Sequence, residues 1–253
     1  MSAPLGAHLI ETPGPGGGET IVAELLSRVD RARFRQCAII PDSTGWMART
    51  VSSTDCFVLG PTPKSESGPL DVAYARGLRR IIRAVRPAVV RAHGFGTAFY
   101  AGLAVLGLPV RVIATFHGAT DLDRTGWKTR FKWALVDRSD ALICVSHSLK
   151  ARHRGRAGRR GGRLSVIHNG VDFHCFTPGT RTALRRALDL PADALLVGVV
   201  GNVRAPKGYA VLLHSIAAAR ASGLRSHLAI AGDDSGILGD SLRELRSSLG
   251  LED

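Results

Sequence analysis

Apolar residues recur along this chain with two different periods. Short strand-like runs cover Ala7–Ile10, Gln36–Pro41, Asp55–Leu59, Pro87–His93, Val110–Thr115, Ala141–Val145, Leu164–Ile167, Leu195–Val200 and Ser226–Ala231. Segments with helical spacing lie between them. In Thr20–Val29 the apolar positions are Ile21, Val22, Leu25, Leu26 and Val29. Val72–Val85 is a basic amphipathic helix stopped by Pro87, and Trp127–Val136, Tyr209–Ala221 and Ile237–Leu249 read the same way. Uninterrupted runs such as Leu195–Val200 suit strands buried on both faces. Strands alternating with helices predict an α/β protein with parallel, doubly wound sheets. The short period shows no internal repeat.

The most apolar segment, Ala98 to Val110, is broken by Pro109 and falls short of the ~20 residues that cross a bilayer. It reads as a core helix ending near Gly107. With 45% hydrophobic and 22% charged residues in 253, the composition is globular. The net charge of +13 is unevenly spread: residues 1–192 hold 28 Lys and Arg against 14 Asp and Glu, whereas 193–253 hold 6 against 7. The first part therefore favours anionic partners. Cys37, Cys56, Cys144 and Cys175 stand far apart, so neither a zinc site nor a disulfide framework is expected, and a reducing cytoplasm fits. The N-terminus has no basic region followed by an apolar stretch, so no signal peptide is expected.

Ligands of such sheets bind beyond the carboxyl ends of the strands. That rule selects the glycines Gly16, Gly17 and Gly18, then His93, His117, Ser146 and Asn169. Glycines ahead of a helix leave backbone N–H groups open to a diphosphate. His117, between an apolar strand and Gly118, can exchange a proton near neutral pH, with a structural imidazole as its alternative. His93 reads first as architectural, and Ser146 as a helix cap. The strongest anion site follows Leu195–Val200, where the turn Arg204-Ala-Pro-Lys207-Gly208 carries two cations into a helix N-terminus. Lys150 to Arg163 holds seven Lys and Arg and no acid. It reads as a solvated helix end, or as a contact with an acidic membrane surface worth ~1 kcal/mol per basic residue. It lacks interleaved aromatics and matches no recognition module, so no specific nucleic acid is expected.

His168-Asn-Gly-Val-Asp172 with Phe176 and Pro178, followed by Gly198 to Gly208 and Leu212-Leu213, resembles the retaining, nucleotide-sugar-dependent glycosyltransferases of the GT-B fold, the group 1 or family 4 type. The resemblance implies two Rossmann-like domains, here 1–190 on the acceptor side and 191–253 as the start of the donor domain. It implies transfer of a hexose from a nucleotide-diphosphate sugar to a hydroxyl acceptor, with lipid-linked acceptors common among relatives, and hence a cytoplasmic or peripheral inner-face location and a role in envelope glycans. His117 would lie at the reacting sugar, His93 on the acceptor side, and Gly16, Gly17, Gly18, Asn169, Arg204 and Lys207 at the donor. No metal or other cofactor is expected.

Two departures qualify the resemblance. The arginine usual after the glycine matching Gly201 is Asn202 here, and Arg204 sits two residues later. The Glu-x7-Glu pair of the family's second domain is also missing, since the sequence stops at Gly250-Leu-Glu-Asp253 after two βα units. A truncated, inactive chain that protease opens after about Pro191 is therefore expected. The competing reading is a non-catalytic protein that binds anions through its basic first part.

Overall fold

The computed structural model describes residues 3–51, 54–63, 70–118, 127–157, 164–177, 179, 182–191 and 193–252. The chain divides into two compact units, Met1–Val171 and Asp172–Asp253. The first contains a sheet of parallel strands: β1 (Leu5–Leu9), β2 (Arg35–Ile40), β3 (Asp55–Val58), β4 (Val89–His93), β5 (Arg111–Phe116), β6 (Ala141–Cys144) and β7 (Leu164–Val166). They stand side by side in the order β3-β2-β1-β4-β5-β6-β7. The helices are α1 (Gly17–Arg28), α2 (Trp46–Thr50), α3 (Val72–Val85), α4 (Phe95–Ala104), α5 (Trp127–Val136) and α6 (His147–Ala157).

Alternate strand residues go to opposite faces, and the two faces differ in chemistry. Ala7, Leu9, Cys37, Ile39, Val90, Ala92, Val112, Ala114 and Leu142 join the main core with Leu78 and Ile82 of α3 and Phe95, Phe99 and Tyr100 of α4. α4 is buried almost all round, which explains its continuous apolar character. Trp133 of α5 closes this side, its ring 4.4 Å from Phe95 and 5.6 Å from Phe116. On the opposite face Ala38 and Ile40 pack with Val22, Ala23 and Leu26 of α1 and Met47 of α2. His8, Arg91, His93 and Thr115 alternate with residues of the main core, so the second face is polar along its centre.

Local signals end several helices where the sequence predicts. Asp71 caps α3 by accepting from the Tyr74 N–H at 2.8 Å, and Arg86 ends it in the left-handed region at φ 51 before Pro87. α1 starts at Gly17, earlier than its apolar spacing suggests, because glycines carry no side chain into the period and Gly16 is an extended N-cap. α2 and α7 (Thr182–Ala187) escape the sequence pattern, both being too short to show a period.

The second unit holds α7, β8 (Leu195–Val200), a 3-10 turn at Ala205–Lys207, α8 (Tyr209–Ala221), β9 (Ser226–Ala231) and α9 (Ile237–Ser248). β8 and β9 pair in parallel, Val197 opposite Leu228. Leu213, Ile216 and Leu251 form a small core backed by Val197, Leu228, Leu242 and Leu245. Val200 is 88% exposed and Leu195 46%, so much of this sheet's apolar surface meets solvent. Arg185 of α7 donates to the Pro191 and Ala194 carbonyls at 3.2 and 2.7 Å. These bonds fasten the segment around Pro191 to the second unit, and the division falls upstream of it. Among the described residues, no helix is long and apolar enough to cross a membrane.

The weak point of the chain accordingly moves from Pro191 to the stretch after Val171, where Phe173 is 79% and Phe176 72% exposed. Limited chymotrypsin digestion is expected to cut first after Phe173 or Phe176 and to leave the first unit as the surviving fragment by mass. A first cut within 191–194 would contradict this.

Candidate functional site

In the strand order of the first sheet the winding reverses between β1 and β4, so a crevice opens at their carboxyl ends. Three histidines meet there. His8 of β1 lies opposite Arg91 of β4, and His93 ends β4 opposite Thr115 of β5. His8 Nδ1 is 3.2 Å from His93 Nε2, and His93 Nδ1 is 3.0 Å from His117 Nε2. At the far end His8 Nε2 lies 3.0 Å from the Gln36 Oε1 carbonyl oxygen. The rings stack along this line, His8 on His93 at 5.4 Å and His93 on His117 at 5.3 Å. His8 was not among the residues selected from sequence, since a residue inside a strand is not beyond its end. The available signal was a histidine interrupting the apolar run Ala7–Ile10.

Burial sets the charge of this line. The pKa of His8 falls from 6.5 to about 4, first through desolvation and then through Arg91, with the Gln36 hydrogen bond opposing. His93 is pushed well below its ordinary value by desolvation, then by His8, Arg91 and His117. His117 is lowered by its own burial, while Glu19 pulls it back up and Arg91 pushes it further down. Near neutral pH all three are neutral imidazoles. Arg91 donates from Nε to Thr115 Oγ1 at 3.3 Å and lies along the same face.

His117 reaches the end of α1: a Cβ on Gly18 would sit 3.4 Å from its Cγ. Ile10, Glu11, Gly18, Glu19, Val22, His93, Gly94 and His117 line a cavity of about 140 Å³. Gly94 must be glycine here, because its φ is +106 and a Cβ would meet Glu11 Oε2 at 2.6 Å. The N–H groups of Gly17 and Gly18 are free of helical partners, as the first turn requires. Glu19 shares that helix end, where Thr12 donates to its Oε1 at 2.5 Å. The carboxylates of Glu11 and Glu19 with neutral His117 make this a cavity for hydroxyl-rich ligands, and Glu19 competes with any phosphate at the α1 terminus. Both ring nitrogens of His93 are engaged, so it acts on the cavity through His117.

In the second unit the turns after β8 and β9 are clamped together. Asn202 Oδ1 accepts from the Asp233 N–H at 3.1 Å, and the Val203 N–H donates to the Asp233 carbonyl at 2.8 Å. A Cβ on Gly232 would overlap the Gly201 carbonyl oxygen at 2.1 Å, so the two turns touch through backbone. Tyr209 donates its hydroxyl to the Gly201 carbonyl. Lys207 lies over Gly201, its Nζ 3.9 Å from where a Cβ would stand. Gly208 takes φ +70 as the N-cap of α8. Arg204 is exposed and donates to its neighbour's carbonyl at Val203. Exposed Arg204 and Lys207 thus flank the turn that opens α8, an arrangement suited to an anion. Asn202, which replaces the expected arginine, is used as the clamp.

The remaining candidates scatter. Ser146 Oγ accepts from the Leu149 N–H at 3.1 Å and caps α6. Asn169 is exposed beyond β7, while the neighbouring His168 donates from Nδ1 to the Val145 carbonyl at 3.0 Å. Of the basic tract Lys150 to Arg163, residues 158–163 lie outside the described residues, as does Pro178. All four cysteines are free thiols, and burial pushes Cys37 up to about 12. Among the described residues, no group of three or more His, Cys, Asp and Glu stands at metal-binding geometry.

The buried histidines make stability depend on pH. Their folded-state pKa values lie below the unfolded value, so the unfolded chain takes up protons first as pH falls. Stability is therefore complete above about 6.5 and declines towards about 4, with His8 alone contributing roughly 3 kcal/mol to the loss. Thermal melts from pH 7 to 4 are expected to show this decline. His8→Phe should flatten it, and an equally steep decline in that variant would count against the assignment.

Comparison with known proteins extends these observations. The family profile described as Glycosyltransferase Family 4 matches residues 15–175. A Bacillus subtilis (strain 168) protein named as a glycosyltransferase, EpsF, is 28% identical over 244 residues, 89% of this chain and 61% of its own length. The D-inositol 3-phosphate glycosyltransferase of Mycolicibacterium smegmatis is 34% identical over 120 residues, 47% of this chain and 27% of that protein. The structure of Anabaena Alr3699/HepE in complex with UDP and glucose superposes with a TM-score of 0.78 at 17% identity, covering 99% of this chain and 67% of that one. That likeness establishes a GT-B fold, of which this chain spans about two-thirds. With more than half of its residues inside the family profile, the chain belongs to Glycosyltransferase Family 4.

Proposed function

We propose that this chain is the acceptor-side domain and the opening of the donor domain of a retaining glycosyltransferase. The reaction moves a hexose from a nucleotide-diphosphate sugar to a hydroxyl acceptor. The observation that carries the reading is the cavity at the reversal of the strand order, where His117, Gly18 and Glu19 converge. Neutral imidazole, carboxylates and open backbone N–H groups recognise sugar hydroxyls in both senses, as donors and as acceptors. The UDP and glucose bound in the Anabaena structure support a nucleotide sugar as donor.

The catalytic contribution in this reading is electrostatic. A departing nucleotide diphosphate gathers negative charge, and fixed cations stabilise it most where water is excluded. Lys207 and Arg204, with the N-terminus of α8, are assigned to that charge, and no metal is invoked. Asn169 is assigned to the donor, and Gly16, Gly17 and Gly18 contribute N–H groups to it. His93 serves the acceptor side through His117. The 28 Lys and Arg of residues 1–192 support an acceptor presented at an acidic lipid surface, in envelope or lipid-linked glycan synthesis, with the protein peripheral on the inner face. The 253 residues alone are read as unable to turn over, since the donor domain here has only the β8–β9 pair among its described residues.

Three substitutions test the assignments in a chain as long as the relatives. Lys207→Ala is expected to weaken nucleotide-diphosphate binding by ~1.5–3 kcal/mol in calorimetric titration, the loss of one charge-assisted contact. Arg204→Ala is expected to act in the same direction, and unchanged affinity in Lys207→Ala would remove the diphosphate site from this turn. His117→Ala is expected to lower turnover ~10²-fold or more, the range of a positioned acid–base group. It also strips His93 Nδ1 of its partner, at a cost of ~1–3 kcal/mol in stability. A loss of activity no larger than the loss of folded protein would mark His117 as structural.

A further inference from the structure

Among the described residues His117 Nδ1 is buried and has no hydrogen-bond partner, although His117 Nε2 and both ring nitrogens of His93 and His8 are engaged. The order of the chain decides what that orphan atom is. A neutral imidazole carries one N–H and one lone pair, so each ring in a line passes polarity to the next. Gln36 Oε1 can only accept, which makes His8 Nε2 the donor and His8 Nδ1 a lone pair. His93 then donates from Nε2 to His8, and its Nδ1 becomes the acceptor. His117 must donate from Nε2 to His93, and its Nδ1 is left unprotonated. The reverse polarity would bury an N–H without an acceptor, the rarer kind of orphan in folded proteins.

We infer that Gln36, His8 and His93 are positioning residues that hold His117 in its Nε2–H form, so that Nδ1 accepts a hydrogen bond from a ligand hydroxyl. The inference rests on the reading of His117 as a group that meets the sugar or its acceptor. It adds a specificity rule. An Nδ1 lone pair selects a hydroxyl or another donor at that position and repels a phosphate or carboxylate oxygen. The groups around His117 agree with this assignment. Glu19 from α1 and Glu11 after β1 line the same cavity and are acceptors themselves, so an anion would face three acceptors there. Burial acts most strongly against a charge on His117; Glu19 pulls the other way and Arg91 from β4 adds to the burial, and the net lowering keeps the ring in the neutral state that the chain of bonds needs. The coupling is cooperative, because turning one ring's proton over requires the others to turn with it.

Nitrogen-15 NMR of the histidine rings in the 253-residue chain tests this without any need for turnover. At pH 7 the ring protons of His8, His93 and His117 are each expected on Nε2, with couplings across the His8–His93 and His93–His117 bonds. A ring proton on His117 Nδ1 would overturn the inference. Gln36→Met removes the terminal acceptor at similar size, and its amide spectrum and melt report whether it is folded. In the folded variant the ratio of Nε2–H to Nδ1–H at His117 is expected to fall at least fivefold. An unchanged ratio would show that Gln36 does not set the polarity. Because both readouts are ring states, they stand apart from the turnover assay, and His117 could fail there while the tautomer holds, or the converse. If Gln36→Met does not fold, His93→Phe cuts the line at its centre: loss of the His117 Nε2–H preference supports the inference, and retention overturns it.

Discussion

Parallel strands buried on both faces leave little room for polar side chains, and each one present needs a partner close at hand. Burying an amide or hydroxyl unpaired costs ~1–3 kcal/mol, and imidazole nitrogens face the same constraint. His8 and His93 are 5% and 6% exposed. They are tolerated because the register places them side by side with Gln36 at one end and His117 at the other. Burial also keeps them uncharged, which an Arg91 on the same face reinforces. The arrangement of the first unit's crevice depends on this line. It fixes the ring of His117 at the mouth of the crevice, and the backbone turns around it bring Gly18, Glu19 and Gly94 close.

The two units meet ligand chemistry in opposite ways. The first unit, despite the strongly basic residues 1–192, surrounds its cavity with two carboxylates and a neutral imidazole. The second, near neutral overall, concentrates Arg204 and Lys207 on the turn before α8. Net charge is therefore a poor guide to where a phosphate would bind. What decides is which cations stand beside open backbone N–H groups at a helix start. The clamp between the turns after β8 and β9, through Asn202 and the Gly201–Gly232 backbone contact, holds those groups in place.

Most of the architecture was legible from the residues alone. Short apolar runs and segments of period 3.6 are local properties, so nearly every strand and long helix could be located from sequence, with α2 and α7 missed for lack of length. Pro87 after Arg86 and the glycines Gly94 and Gly208 marked turns through backbone sterics, which is again local. The family resemblance rested on the stretches His168–Asp172 and Gly198–Gly208, and the family profile spans residues 15–175. His93, His117 and Lys207 were selected because strand ends and helix starts are visible in the pattern.

Strand order was not visible, and it determined the rest. Which strand lies beside β1 is set by long-range packing, and only the order β3-β2-β1-β4 brings His8 against His93, and so into line with His117. His8 and Gln36 read as ordinary strand positions because their significance lies in partners that are far away in sequence. Glu19 read as the end of a loop until the fold placed it in the first turn of α1 and at the cavity with Glu11, and Asn202 as a missing arginine until it proved to be a clamp. Sequence by itself determined the elements, the family and the kinds of chemistry at the strand ends, because these follow from local periodicity and motif. The tertiary structure decided which polar groups share a bond, since a hydrogen-bond chain across strands exists only once their register does.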